Sequence, residues 1–367
     1  MITKSTFKDK KVIVTGHTGF KGSWLTLWLL SLGAKVVGIS NGIPTNPSNF
    51  EALDLAKNIL DIRIDIRDSG ALKNIILREK PDFLFHLAAQ PLVRLSYNDP
   101  LLTYTSNVIG TANLLEALRE YNKSCNVVMI TSDKAYDNVE WIWGYRENDA
   151  LGGADPYSAS KGAAELVIKS YIKSFFGGRN SNIKIGIARA GNVIGGGDWA
   201  LDRIVPDVVT AWSNGEVVQL RNPNATRPWQ HVLEPLSGYL NLAIALDSDE
   251  KVHGEAFNFG PPAENNHSVI ELVTEMSQYW EQVKFQDIST EYRGPYESGL
   301  LKLNCDKALF YFGWKATWDF ATTIKMTSQG YKCFIDDKAN IREFFLKQIY
   351  EYSENAMSKS IPWATSL

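Results

Sequence analysis

VIVTGHTGFKGSWL, residues 12–25, decides the fold. A β-branched apolar run ends at Thr15, glycines follow at 16, 19 and 22, and SWLTLWLLSLG continues with apolar residues at helical spacing. A strand that turns through glycine directly into a helix brings backbone N–H groups and the positive end of the helix dipole to one point, where a phosphate binds. Gly16 permits the tight turn, Gly19 lets the backbone approach a pyrophosphate, and Gly22 allows close packing of helix on strand. Thr18, Phe20 and Lys21 fill the loop and are expected at the same ligand. The spacing is G-x-x-G-x-x-G rather than G-x-G-x-x-G.

Outward from this loop, AKVVGIS, ILDIRIDIRD, PDFLFHLAAQ and NVVMI read as strands, with ALKNIILREK as a helix between two of them. Strand, helix and strand in that order predict an α/β fold, a Rossmann-like, doubly wound parallel sheet with helices on both faces. After about residue 190 the pattern loosens into Gly/Pro/Asn clusters at 195–198, 221–228 and 260–266. The expected organisation is a dinucleotide-binding domain over 1–190 and a smaller substrate lobe over 191–335 with segments returning to the large domain. A C-terminal helix and tail follow over 336–367, the helix burying Ile341, Phe344, Phe345 and Ile349.

The 367 residues are 44% hydrophobic and 22% charged, the composition of a globular protein. A net charge of −3 offers no basic patch, so nucleic acid is not an expected partner and small molecules are. Cys125, Cys305 and Cys333 are odd in number and lack metal-ligand spacing, which predicts structural thiols, no metal and a reducing, cytoplasmic setting. The N-terminus is polar, and no apolar run approaches the roughly 18 residues of a membrane span.

Two further stretches carry chemistry. ADPYSASKGAAE places Tyr157 and Lys161 on one helix face; an ammonium near a phenol favours the phenolate, and a phenolate removes a hydroxyl proton while hydride leaves for a nicotinamide. TSDKAYDN, 131–138, places Ser132, Asp133 and Lys134 at the mouth of the strand NVVMI. An acid at the end of the second strand usually accepts from the adenosine ribose of NAD; here that strand ends in Ser40 and Asn41, and Lys21, in the glycine loop, is placed to meet the same ribose. NAD is the expected cofactor, with NADP left open.

TGxxGFxG joined to Y-x-x-x-K resembles the extended short-chain dehydrogenase/reductase superfamily. The resemblance implies that Asp65 and Ile66 in DIRD touch the adenine edge, although Asp65 also suits a helix cap. It further implies Ala88 of HLAAQ beside the cofactor, Asn107 of TSNVIGTANLL in the active site, and Ser132 completing a Ser/Tyr/Lys set. TSDK-x-Y-x-N, HLAAQPLVR, EWIWGYREND, GNVIGGGDWA and RPWQHVLEPLSGYL, spread over roughly 10–335, are similar to the CDP-glucose 4,6-dehydratases. That branch oxidises C4 of a nucleotide sugar, eliminates water across C5 and C6, and returns hydride to C6. On this analogy Asp133 is the acid for the C6 hydroxyl, and Lys134, where dTDP-glucose dehydratases carry a glutamate, takes the C5 proton or matches the enolate's charge.

The same resemblance assigns Arg227 to the pyrophosphate, Asn192 to the sugar nucleotide, and Arg203 and Pro206 to the border of the base. Arg189, His231, Tyr296 and Glu297 are weaker candidates, Trp141 and Trp143 are read as packing or pocket walls, and a homodimer through paired helices is implied. The alternatives are a dehydratase of another nucleotide sugar, a 4-epimerase, or a dinucleotide-sensing regulator. An epimerase has no elimination for Asp133 and Lys134, and a regulator has no use for Tyr157 and Lys161.

Overall fold

The structure, a computed structural model, describes residues 2, 4–177, 181–281, 283–291 and 299–365. Seven parallel strands are β1 (Lys11–Thr15), β2 (Lys35–Ser40), β3 (Leu60–Arg63), β4 (Phe83–His86), β5 (Cys125–Ile130), β6 (Ile183–Ala190) and β7 (Ala256–Phe259). They lie in the order β7-β6-β5-β4-β1-β2-β3. Chain order reverses between β1 and β4, and the crevice at that switch point, outside the carboxyl ends of the strands, is where such sheets bind ligands.

The helices that matter here are α1 (Phe20–Ser31), α2 (Ser69–Glu79), α3 (Gly110–Arg119), α4 (Pro156–Tyr171), α5 (Ile204–Ser213), α6 (Leu233–Ser248), α7 (Val269–Ser277), α8 (Phe320–Asp336) and α9 (Ile341–Ser358). Strand alternation sorts the core into two layers. Val12, Val14, Phe85 and Val128 pack with α1, α6 and α9; Ile13, Leu84, Val127 and Met129 pack with α2, α3 and α4. α1 is apolar around most of its girth because it lies between the sheet and α9. Trp24 stacks on Phe345 at 4.0 Å and Trp28 meets Tyr352 edge-on at 5.9 Å.

The strand expected over ILDIRIDIRD is shorter, Leu60–Arg63. It is the sheet edge, and its polar side chains find local partners: Asp61 accepts from Arg63 at 2.7 Å and pairs with His17 Nε2 at 2.9 Å. Residues after 190 build a third core from Val209 and Trp212 of α5, Trp229, Leu272 of α7 and Tyr331 of α8. The chain re-enters the large sheet as β7 and covers it again with α9, whose Ile341, Phe345 and Ile349 are buried and whose Phe344 is partly so. Among the described residues no helix is long and apolar enough to cross a membrane, and no cluster of side chains suits a metal ion. Cys125, Cys305 and Cys333 are all free thiols.

Candidate active site

A cavity of about 420 Å³ opens at the switch point, with the glycine loop, Ser40, Asp65, Ile66 and Ala88 along one part and Ser132, Tyr157, Lys161, Lys21 and Arg203 along another. Gly16 has φ +73°, and a Cβ there would meet Ala88 N at 2.8 Å. At Gly22 a Cβ would fall 2.1 Å from Gly16 O, so the helix start can lie this close only without a side chain. At Gly19 the nearest atom to a Cβ is Gly16 O at 3.4 Å, which leaves that face open. Gly19 also starts α1 with no side-chain cap, so first-turn N–H groups remain for an anion. The open cradle, the uncapped helix and the long cavity fit a dinucleotide.

Around this cradle the loop residues take different tasks. Thr18 Oγ1 donates to Gly42 O at 2.7 Å and lies 2.8 Å from Ser40 Oγ, tying the loop to the end of β2. Phe20 reaches toward Gly195 in the lobe. Asp65 does not cap a helix: Asp68 caps α2, accepting from Ala71 N at 3.0 Å. The Asp65 carboxylate instead takes Arg67 Nη2 at 2.7 Å and Asn41 Nδ2 at 3.5 Å on the cavity wall.

Lys21 lines the same cavity. The charges that act on its amine are Arg203, Asp133, Lys161 and Asp198, after burial, which lowers it to about 8. It is therefore a cation of the catalytic end of the cavity.

At that end, Asp155 caps α4 by accepting from Ser158 N at 2.9 Å, and Pro156 starts the helix, which brings Tyr157 and Lys161 to the cavity. Lys161 Nζ lies 6.0 Å from the Tyr157 ring centroid. Burial lowers Lys161 to about 8, opposed by Glu165. Burial raises the Tyr157 phenol to about 12, with the Ser132 hydroxyl and Arg203 pulling it back and the Asp133 charge adding to the rise. Arg203 donates to Asp198 Oδ2 at 2.8 Å and lines the cavity beside Tyr157. The chain after β6 carries it back to the end of the cavity where Tyr157 lies.

The TSDK stretch forms one turn of 3₁₀ helix, Asp133–Ala135. Ser132 Oγ donates to Asp133 Oδ1 at 2.9 Å and accepts from Lys134 N at 3.2 Å. Asp133 is 3% exposed, its other oxygen has no partner among the described residues, and its carboxyl lies against Gly191, where a Cβ would sit 1.7 Å from Oδ2. Lys134 is half-buried and lies outside the cavity lining.

Asn107 braces the wall of the active site. Its amide accepts from Gln90 N at 2.8 Å and donates to Gln90 O at 3.1 Å and Ser160 Oγ at 2.8 Å, which uses both its donors and locks HLAAQ to α4. Asn192 sits at φ +46°, its carbonyl accepting from Gln230 N at 3.2 Å. Pro206 is buried in α5. Arg227 folds onto Thr226 O at 2.8 Å and Gly299 O at 3.3 Å.

Arg189 is structural: fully buried, it forms a bidentate pair with Glu165, which also accepts from Thr131 Oγ1 at 2.7 Å. His231 is a core residue between Trp24 and Trp318, and burial lowers it to about 3. Trp141 and Trp143 wall a separate surface hollow with Arg146. Tyr296 and Glu297 lie outside the described residues. Gln230, which donates to Gly191 O at 2.9 Å, escaped the sequence reading.

With this geometry in place, likeness to known proteins becomes informative. Residues 13–327 match the family described as GDP-mannose 4,6 dehydratase. The chain is 47% identical over 339 residues to a CDP-glucose 4,6-dehydratase of Salmonella typhimurium, covering 91% of this chain and 94% of that protein. It shares the fold of the UDP-glucuronic acid 4-epimerase of Bacillus cereus, solved with UDP-glucuronic acid and NAD (TM-score 0.74, 23% identity, 88% of this chain and 99% of that one). The dTDP-glucose 4,6-dehydratase of Bacillus anthracis, solved with NAD, gives a TM-score of 0.72 at 21% identity over 90% of this chain and 98% of that one. Family match, near full-length relative and switch-point cavity agree: the chain belongs to the GDP-mannose 4,6-dehydratase family, within the extended short-chain dehydrogenases/reductases.

Proposed function

We propose that the chain dehydrates CDP-D-glucose to CDP-4-dehydro-6-deoxy-D-glucose. The cofactor is NAD, which when bound supplies a two-electron acceptor at C4 and returns the same electrons at C6. The chain does the rest. The glycine loop and the N-terminus of α1 hold the pyrophosphate, and Ile66 and Ala88 line the dinucleotide's path. Tyr157 takes the proton of the C4 hydroxyl, Ser132 hydrogen-bonds the same oxygen, and Arg203 and Lys161 favour the phenolate. The C4 ketone acidifies C5–H. As that bond's electrons form the C5–C6 double bond, C6–O breaks and Asp133 gives its proton to the departing hydroxyl, which leaves as water. Lys134 is assigned to the C5 step, as a free amine that takes the proton or as an ammonium that matches the enolate's charge while another base takes it. Asn192 and Arg227 are assigned to the nucleotide sugar.

The observation that carries this reading is the Asp133 carboxyl, buried beside Tyr157 and held against Gly191. Redox chemistry at C4 alone uses Tyr157 and Lys161 and leaves such an acid idle. The test is to incubate the purified protein and NAD with CDP-, dTDP-, UDP- and GDP-glucose in heavy water. A 4-keto-6-deoxy product from CDP-glucose alone, with deuterium at C5, is expected; epimerised hexose without loss of water overturns the reading.

Two copies are assigned to a homodimer through the face that exposes Leu101 at 74%, Ile109 at 51% and Leu166 at 60%. Leu166→Arg should then give monomers by light scattering, and a wild-type mass would refute the interface. The three free thiols fit a reducing cytoplasm, the assigned setting.

A further inference from the structure

The second strand ends without the acid that usually meets a dinucleotide's adenosine ribose, and other side chains stand in its place. β2 flanks the glycine turn, with Gly16 N donating to Ile39 O at 2.7 Å, so its carboxyl end is the ribose end of the cavity. Ser40 and Asn41 both line the cavity there. Ser40 is spent on the loop: its hydroxyl donates to Gly42 O at 3.0 Å and lies 2.8 Å from Thr18 Oγ1. Asn41 Nδ2 donates to Asp65 Oδ2 at 3.5 Å.

A carboxylate offers about four acceptor positions, and the chain fills those of Asp65 itself. Oδ1 accepts from Arg67 N at 2.8 Å and Arg67 Nε at 3.0 Å; Oδ2 accepts from Arg67 Nη2 at 2.7 Å and from Asn41. The hydrogen bonds from Arg67 hold the Asp65 carboxyl below its ordinary value, so it is ionised and only accepts. An acceptor-only neighbour fixes the Asn41 amide: its nitrogen faces Asp65, and its oxygen is left for a ligand. The arginines of this stretch are taken. Arg63 Nη2 donates to Asp61 at 2.7 Å, Arg67 is held by Asp65, and neither lines the cavity.

We propose that Asn41, held by Asp65, accepts the 2′-hydroxyl of the adenosine ribose through its Oδ1, and that this pair makes the chain reject a 2′-phosphate. A hydroxyl has a proton to give that oxygen. A phosphate dianion brings acceptors to an acceptor, with the Asp65 charge close behind it. An arginine is what usually accommodates that phosphate, and the one lining this cavity, Arg203, lies at the other end beside Tyr157. The proposal rests on NAD as the cofactor and names the residues that select it.

The test is calorimetric titration of the purified chain with NAD+, NADP+ and NAD+ lacking the adenosine 2′-hydroxyl. NADP+ should bind at least about a hundredfold more weakly than NAD+, the size of a like-charge contact. Asn41→Ala should weaken NAD+ about tenfold and leave the 2′-deoxy form unmoved, because that probe has no hydroxyl to lose. Asn41→Arg replaces the acceptor with a donor and should raise NADP+ affinity relative to NAD+ at least about tenfold. Asn41 is exposed, so these variants should keep the wild-type melting temperature. Equal weakening of NAD+ and its 2′-deoxy form by Asn41→Ala would make the side chain merely structural and refute the proposal. Wild-type binding of NADP+ within about threefold of NAD+ would refute it too. If the wild type binds neither dinucleotide, the cofactor assignment fails and takes the proposal with it.

Discussion

Gly191→Ala puts one methyl where the acid now rests. Gly191 has no positive φ, so alanine suits its backbone and the effect is steric. The added Cβ would lie 1.7 Å from Asp133 Oδ2 and 2.1 Å from its Cγ. Reaching ordinary contact at 3.4 Å moves the carboxyl by about 1.7 Å. A displacement of about 1 Å at a reacting group can cost 10²-fold in rate, about 2.7 kcal/mol of barrier. Overpacking costs about 1–3 kcal/mol, offset by about 0.4–1 from the lower entropy of the unfolded chain, against a typical stability of about 5–15. The variant should therefore fold. In single turnovers with CDP-glucose, reduced cofactor should form at near wild-type rate, because Tyr157 and Lys161 are untouched, while the 4-keto-6-deoxy product and C5 deuterium exchange appear at least about a hundredfold more slowly. A folded variant that eliminates water within about threefold of the wild-type rate would refute Asp133 as the acid.

Glu165→Gln leaves the fully buried Arg189 without its charge partner, and breaking such a pair costs about 3–5 kcal/mol, read as a lower urea midpoint at constant slope; an unchanged midpoint would sink the structural assignment. His231 titrates at about 3 in the folded protein against 6.5 unfolded, so the unfolded chain takes up its proton first. Its contribution is complete above pH 6.5 and is lost as pH falls through about 3; melting temperature against pH should be flatter in that window for His231→Gln, and a parallel curve would contradict this. Gly22→Ala drives a Cβ to 2.1 Å from Gly16 O, a backbone atom that cannot swing aside, so NAD titrations should show affinity weaker by more than about tenfold, whereas wild-type affinity would mean the cradle is elsewhere.

The residues legible in the sequence were those whose task is local. The glycine loop is a strand, a turn and a helix start within one short stretch, and Tyr157 and Lys161 share a helix face by spacing alone. The alternation that sorts Val12 and Val14 from Ile13 is likewise written in adjacent positions. What escaped depends on long-range return of the chain. Arg203 reaches Tyr157 only because the segment after β6 crosses back over the cavity, and Lys21 comes into the field of Asp133 only once α1, packed on β1 and β2, meets the end of β5. Asn107 looks like a ligand group until the two partners that use its amide, Gln90 and Ser160, are brought from different elements.

The stacking of Trp24 on Phe345 also bears on how the protein is made. A ribosome releases the glycine loop and α1 long before the aromatic rings that cover α1. Until then Trp24 and Trp28 stay open on the nascent chain, and the parallel sheet beneath them waits for β7. Translation must therefore pass α9 before the phosphate cradle can hold its shape. A stop codon placed just before α9 would spare every residue assigned to the chemistry and still deprive the cradle's helix of its cover.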